Sequence, residues 1–376
     1  MSLITNLDPR FRGDGLRGGD GLQGKSTWRL FTESKEIWHQ MLTDIANARV
    51  SIEMEQYSFW DAKIGHRFLQ ALEEKHKQGV RIRLICDGYG SYPLFQSKYV
   101  AKLQAMGIEI LAFNPVSLVR PSTWFYHLHK KTLIIDSKVA WTGGLGIKKK
   151  FRHFLDTMAR VDGPIVADIE RSFDTVRNNI LEKNYYFSTD IGGQSEDLKF
   201  YVNYCGYGRK EIYEQMRQSI QQAEHSIYLT TSYFFPDRNF FQLILDKARS
   251  GVDIKIILRG KDDEYLPVRF STSYFYKALK AGIGIYRYEP AIIHAKTAIV
   301  DSKWATIGSS NLDKFSFYYN MEGNLVSSEA EFVTQVRTLF LEHLRHCRKI
   351  ELHEWEDRPF RERVIEYMTW PIHNYL

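Results

Sequence analysis

The sequence predicts an α/β protein made of two duplicated α/β/α lobes related by a pseudo-twofold axis. Three repeats carry that expectation: an amphipathic helix, an order of strands and helices, and a histidine motif. Residues 36–48 (EIWHQMLTDIANA) and 211–223 (EIYEQMRQSIQQA) match at a spacing of 175. In the first, Ile37, Trp38, Met41, Leu42 and Ile45 share one helical face; in the second, Ile212, Tyr213, Met216 and Ile220 do. Similarity at a fixed spacing is the mark of a repeated structural unit.

The elements that follow each helix keep the same order. A strand-like stretch comes first, SIEMEQYSF from Ser51 and SIYLTTSYFF from Ser226. A helix then ends at Gly79 or Gly251 and gives way to the β-branched runs VRIRLIC from Val80 and VDIKIIL from Val252. Another helix closes at Gly107 or Gly282, a short strand follows (IEIL or IGIY), and the histidine motif comes last. Alternating strands and helices imply a sheet in each lobe with functional residues at strand ends. The lobes are expected at 26–187 and 198–350, joined by the polar, glycine-containing stretch 188–197. Residues 1–25, with six glycines, read as a disordered leader, and 351–376 as a helical tail.

Composition narrows the function classes. At 376 residues the chain exceeds one ordinary domain, and its 44% hydrophobic and 26% charged residues suit a globular protein. A net charge of +6 favours anionic partners without choosing between phospholipid and nucleic acid. Cys86, Cys205 and Cys347 are far apart, which disfavours a disulfide framework or a zinc site. There is no apolar run of about 18 residues for a membrane span, and the leader has no signal-peptide core.

The chemistry lies in a motif repeated at a spacing of 165. His129, Lys131 and Asp136 precede Gly143 and Gly144; His294, Lys296 and Asp301 precede Gly308, Ser309, Ser310 and Asn311. His and Lys two apart on a strand point to one side, so both can face one phosphate. Asp136-Ser137-Lys138 and Asp301-Ser302-Lys303 read as hairpin turns, so Asp136 and Asp301 fix the hairpin. The returning strands bring Gly143, Gly144 and Ser309 beside the histidines, where backbone N–H groups can approach phosphate oxygens. Either motif alone is a packed histidine and a solvated lysine as readily as a site. Two copies in two copies of one fold pattern point to chemistry.

This duplicated H-x-K-x-x-x-x-D pattern resembles the phospholipase D superfamily, over nearly the whole chain from about Trp28. Within it, DGYGS at Asp87–Ser91, HLHKKTLIIDSKVAWTGGLGI from His127, VDGPIVADIERSF from Val161, the segment HAKTAIVDSKWATIGSSNLDKFSFYYNMEGNL from His294 and IELHEWEDRPFRERVIEY near the end resemble the shorter bacterial cardiolipin synthases. The resemblance implies phosphatidyl transfer between two phosphatidylglycerol molecules, through a phosphohistidine and with no cofactor or metal.

Two histidines suit a two-step displacement, one attacking phosphorus and the other serving as acid and then base. The residues leave the assignment open; the resemblance implies His129 as nucleophile and His294 as acid/base. Lys131 and Lys296 offset transition-state charge. Asp156 and Glu322, which lie 27 and 28 residues after the two histidines, are candidate orienting acids, and in related enzymes the equivalents cross the interface. That implies His129 with Glu322 and His294 with Asp156. One departure stands out: Gly144 and Gly146 replace the residues that are Ser309 and Asn311 in the second half, removing side-chain donors worth about 2 kcal/mol in transition-state binding.

Two features favour lipid. Trp124, Phe125 and Tyr126 sit beside the first motif with Arg120, Lys130, Lys148, Lys149, Lys150 and Arg152 nearby, and the aromatic, basic tail 359–376 suits a bilayer surface. The expected partner is an anionic phospholipid surface, the expected place a peripheral position on the cytoplasmic face. A hydrolase or nuclease of the same superfamily, using the basic cleft and aromatics on nucleic acid, is the second reading, and an impaired binding module the third.

Overall fold

The computed structural model describes residues 16–18, 24–115, 124–184, 197–206, 208–260 and 270–358. Each lobe is a mixed sheet flanked by helices. The first lobe contributes β1 (Leu16–Gly18), β2 (Thr27–Glu33), β3 (Ser51–Gln56), β4 (Arg81–Asp87), β5 (Glu109–Phe113), β6 (His127–Leu128), β7 (Thr132–Ile135), β8 (Val139–Gly143) and β9 (Phe154–Asp162). The second contributes β10 (Leu198–Asn203), β11 (Ser226–Thr230), β12 (Phe234–Phe235), β13 (Asp253–Arg259), β14 (Gly284–Tyr288), β15 (Ile292–Ile293), β16 (Thr297–Val300), β17 (Trp304–Gly308), β18 (Leu312–Asp313), β19 (Asn320–Ser327) and β20 (Cys347–Ile350).

The strand order β2-β9-β8-β7-β3-β4-β5 in one lobe is matched by β10-β19-β17-β16-β11-β13-β14 in the other. Both sheets pair β3 with β4 and β11 with β13 in parallel, as helical crossovers require. Helices Ser34–Asn47 and Glu211–Gln222 occupy the equivalent places and bury Ile37, Trp38, Met41 and Ile45 in one lobe and Ile212, Met216 and Ile220 in the other. A third apolar cluster joins the lobes: Trp28, Ile134, Ala159 and Phe173 pack with Phe200, Ile307, Leu325 and Phe332. The Trp28 and Phe332 rings meet edge-on at 5.1 Å. A continuous apolar core thus joins the two lobes.

Three expectations meet corrections or limits here. Leu16–Gly18, inside the segment read as a disordered leader, pairs with Trp28–Leu30, because the open edge of β2 offers unpaired backbone groups. Lys25 also reaches Glu329 of the second lobe at 2.6 Å; the other leader residues, apart from Gly24, lie outside the described residues, as does the linker up to Asp197. In the tail, Leu352–Glu356 is helical and Trp355 packs on Phe275 at 5.0 Å, while 359–376 lie outside the described residues. Among the described residues no helix is long and apolar enough to cross a membrane.

Candidate active site

Each histidine motif begins on the other lobe's sheet. β6 runs parallel to β19, with His127 opposite Asn320 and Leu128 opposite Met321, and His129 N donates to Met321 O at 2.8 Å. The next position on β19 is Glu322. β15 does the same to β9, with Ile293 opposite Leu155 and His294 N donating to Leu155 O at 2.6 Å. The next position on β9 is Asp156. After the lysines the chain returns to its own sheet as β7 and β16. The motifs therefore do not lie on one continuous strand, as the spacing alone suggested; His129–Lys131 and His294–Lys296 bridge the two sheets.

This crossing brings the histidines to the acids. His129 Nδ1 lies 2.9 Å from both Glu322 carboxylate oxygens, and His294 Nδ1 lies 2.6 Å from Asp156 Oδ2. Both carboxylates are fully buried. Lys131 Nζ donates to its own motif's His129 O at 2.6 Å; Lys296 Nζ donates to His294 O and, at 3.2 Å, to Ser232 Oγ. The Tyr57 ring packs on His129 at 4.8 Å, and Phe151 and Phe154 flank His294 at 5.5 and 5.9 Å.

Burial governs the titration of the site. It lowers both histidines, and for His294 the charges of Lys296 and Lys131 push the same way, to well below the ordinary value. It also brings Lys131 down to about 7 and Lys296 to about 8. The two acids respond differently. Burial raises Asp156 to about 7. Glu322 is also pushed up by burial, but His129, Lys131 and the Ser309 hydroxyl outweigh this and hold it below the usual range. The cause is visible in the donors. Glu322 accepts from Ser309 Oγ at 2.5 Å, Ser316 Oγ at 2.8 Å and Asn320 Nδ2 at 3.4 Å, whereas Asp156 accepts the Thr157 N–H at 2.8 Å.

The glycine pair plays a different part from the one its composition suggested. Gly144 N donates to Thr157 O at 3.2 Å and Ser309 N to Gly323 O at 3.1 Å, so those N–H groups bond the neighbouring strand and not a phosphate. A Cβ at Gly143 would collide with Thr157 O, and one at Gly144 with Asp156 Oδ1. Glycine here makes room for the carboxylate. A Cβ at Gly146 would stand 2.9 Å from the Phe151 ring and 3.1 Å from Ser58 O, so the position leaves little room for a side chain. Asn311 Oδ1 is 3.5 Å from Thr231 Oγ1. Asp136 and Asp301 sit in the left-handed region and accept the N–H groups of Arg49, Val50 and Ser51 and of Glu224, His225 and Ser226, tying each hairpin to its lobe.

Trp124 and Phe125 are 44% and 52% exposed, and Phe125 and Tyr126 lie against Phe315 and Tyr319 of the second lobe. Lys149, Lys150 and Arg152 are exposed on the turn Lys149–His153. Lys130 is not part of this surface. It is fully buried, 3.1 Å from Glu55 and 2.5 Å from Ser172 Oγ, because its side chain points opposite to those of His129 and Lys131. Arg120 lies outside the described residues. Among the described residues no cluster of His, Cys, Asp and Glu could hold a metal.

The sequence reading missed Asp87 as a site residue. Its buried carboxylate accepts from the N–H groups of Tyr89, Gly90 and Leu128 and lies 3.2 Å from His127 Nδ1, so it anchors the strand that carries His129. The quoted DGYG run was the available signal.

Two lobes that exchange a histidine for a carboxylate define a duplicated enzyme of the phospholipase D superfamily. A family model described as "Cardiolipin synthase, PLD-like domain" matches residues 41–177 and 216–344, and the chain belongs to that family. It is 31% identical to the cardiolipin synthase of Clostridium perfringens strain 13 over 358 residues, covering 90% of this chain and 75% of that protein. It is 29% identical to cardiolipin synthase 1 of Bacillus anthracis over 373 residues, covering 93% and 72%. Phosphatidylserine synthase of Haemophilus influenzae shares the fold, with a TM-score of 0.69 at 14% identity over 92% of this chain and 93% of that one.

Proposed function

We propose that this enzyme transfers a phosphatidyl group from one phosphatidylglycerol to another, releasing glycerol and forming cardiolipin. The observation that carries the reading is the pair of imidazoles, each held at Nδ1 by a buried carboxylate of the opposite lobe, facing one cleft with two lysines. An acceptor at Nδ1 leaves Nε2 as the reacting nitrogen.

His129 Nε2 attacks phosphorus and forms the N–P bond; the bond to glycerol breaks, and His294 gives the departing oxygen its proton. His294 then takes the proton of the acceptor hydroxyl, whose oxygen bonds to phosphorus as the N–P bond breaks. Glu322, ionised and supported by three further donors, favours the His129 tautomer with a free Nε2 lone pair, which supports His129 as the nucleophile. Burial and the charges of Lys296 and Lys131 strongly lower the affinity of His294 for its proton. A bound phosphodiester anion raises that affinity, so binding prepares the acid. Lys131 and Lys296 hold the non-bridging oxygens.

The protein acts peripherally at the cytoplasmic face of the membrane. Exposed Trp124 and Phe125 enter the headgroup zone, and Lys149, Lys150 and Arg152 attract anionic lipid. The test is incubation of the full chain with phosphatidylglycerol vesicles, with chelator present and His129→Ala as control. Cardiolipin and glycerol in equal amounts support transfer. Phosphatidic acid in their place means hydrolysis, and cleavage of single-stranded DNA with inert lipid means a nuclease.

A further inference from the structure

Among the pairs of equivalent residues at which the pseudo-twofold symmetry is broken, one exchanges an acid for a base. Asp87-Gly88 ends β4 and Arg259-Gly260 ends β13; Gly88 N donates to Phe113 O at 2.8 Å, and Gly260 N to Tyr288 O at 3.0 Å. The first lobe thus has a buried carboxylate where the second has a guanidinium. Arg259 is 5% exposed, close to the 2% of Lys131 and of Lys296. Its Nη1 donates to Tyr233 Oη at 2.7 Å, and the guanidinium stands 5.4 Å from that ring's centroid. Tyr233 adjoins Ser232, which receives the Lys296 hydrogen bond. The Arg259 charge contributes to the lowering of both His294 and Lys296.

We propose that Arg259 binds the phosphodiester of the lipid acceptor and so makes the enzyme prefer an anionic lipid alcohol to a neutral one. The inference rests on the phosphatidyl transfer proposed above. When His129 attacks phosphorus, in-line displacement places the leaving oxygen, and later the entering one, on the His294 side. Phosphatidylglycerol as acceptor brings a second phosphodiester, joined to the attacking hydroxyl by a three-carbon bridge. That anion arrives on the side where Arg259 stands. The opposite side offers it Asp87, whose carboxylate repels it. In the transfer step the acceptor proton passes to His294 Nε2, the oxygen bonds to phosphorus, and the N–P electron pair returns to His129; Arg259 takes no part in these bond changes. A neutral alcohol forgoes the Arg259 contact and loses nothing else.

The experiment is a competition. The full chain is given phosphatidylglycerol vesicles in buffer containing ethanol, and cardiolipin and phosphatidylethanol are measured from the same tube for wild type, Arg259→Gln and Arg259→Lys. The expected result is a fall of about tenfold or more in the cardiolipin-to-phosphatidylethanol ratio in Arg259→Gln, the scale of one lost charge-assisted hydrogen bond, with a smaller fall in Arg259→Lys. Phosphatidylethanol formation serves as the control for folding. An unchanged ratio in Arg259→Gln overturns the assignment; if that variant makes neither product, an unchanged ratio in Arg259→Lys does so. Wild type that makes phosphatidylethanol but no cardiolipin overturns the proposed function itself, independently of any variant.

Discussion

His129 and Glu322 are separated by 193 residues of sequence, yet His129 Nδ1 lies 2.9 Å from the Glu322 carboxylate, across the boundary between two lobes. Neither lobe alone owns a complete histidine-acid pair. Replacing Glu322 by Gln keeps the shape but lets an amide present the wrong group to Nδ1. Loss of the correct tautomer is expected to reduce turnover on the order of a thousandfold or more. Steady-state kinetics on a soluble phosphodiester measure this, with an unchanged melting temperature separating it from misfolding.

The two histidines differ in the second half-reaction. With a substrate whose leaving group needs no proton, His294→Ala is expected to release that group in a burst of about one equivalent and then stall; His129→Ala releases none. A burst in His129→Ala, with none in His294→Ala, reverses the assignment.

The lysines set an alkaline limb. Lys131 and Lys296 are charged at low pH and lose their charge as pH rises through about 7 and about 8. Since burial lowers His129, its Nε2 is neutral above an acid limb that lies below the ordinary histidine range. The kcat/KM of the free enzyme should therefore decline between about pH 7 and 8. A profile still rising at pH 9 contradicts the lysine environments.

Lys130 and Glu55 form a buried ion pair that the second lobe replaces by Ala295 and Thr230. Lys130→Met strands the Glu55 carboxylate and is expected to cost about 3–5 kcal/mol of stability by denaturant unfolding. Lys130→Ala combined with Glu55→Thr, the pair already accommodated in the other lobe, is expected to cost less than the single change. A double variant worse than Lys130→Met shows that the pair does not act as a unit.

Trp124 and Phe125 are exposed large apolar side chains just before the first histidine motif. Replacing both by Ala is expected to weaken binding to anionic vesicles several-fold in a flotation assay, with little change on a short-chain soluble substrate. Equal loss on both substrates assigns the rings to packing.

Much of this was legible in the chain because the repeat is internal: His129 and His294, Lys131 and Lys296, and the two helix faces stand in one sequence as their own comparison. The cross-lobe strand pairing was not, since β6 and β15 are two residues each and carry no periodicity. Lys130 looked like a surface cation because its partners, Glu55 and Ser172, come from distant elements. The surroundings of the glycine pair were hidden for a similar reason. What a missing Cβ accommodates, here the Asp156 carboxylate, is set by the strand packed against it.

The most direct test of the two-lobe account is to map the covalent intermediate. Wild-type enzyme would be mixed with phosphatidylglycerol, quenched in base, digested and analysed by mass spectrometry. The account predicts a phosphatidyl group on the imidazole of His129; a group on His294, or turnover to cardiolipin with neither histidine modified, would contradict it.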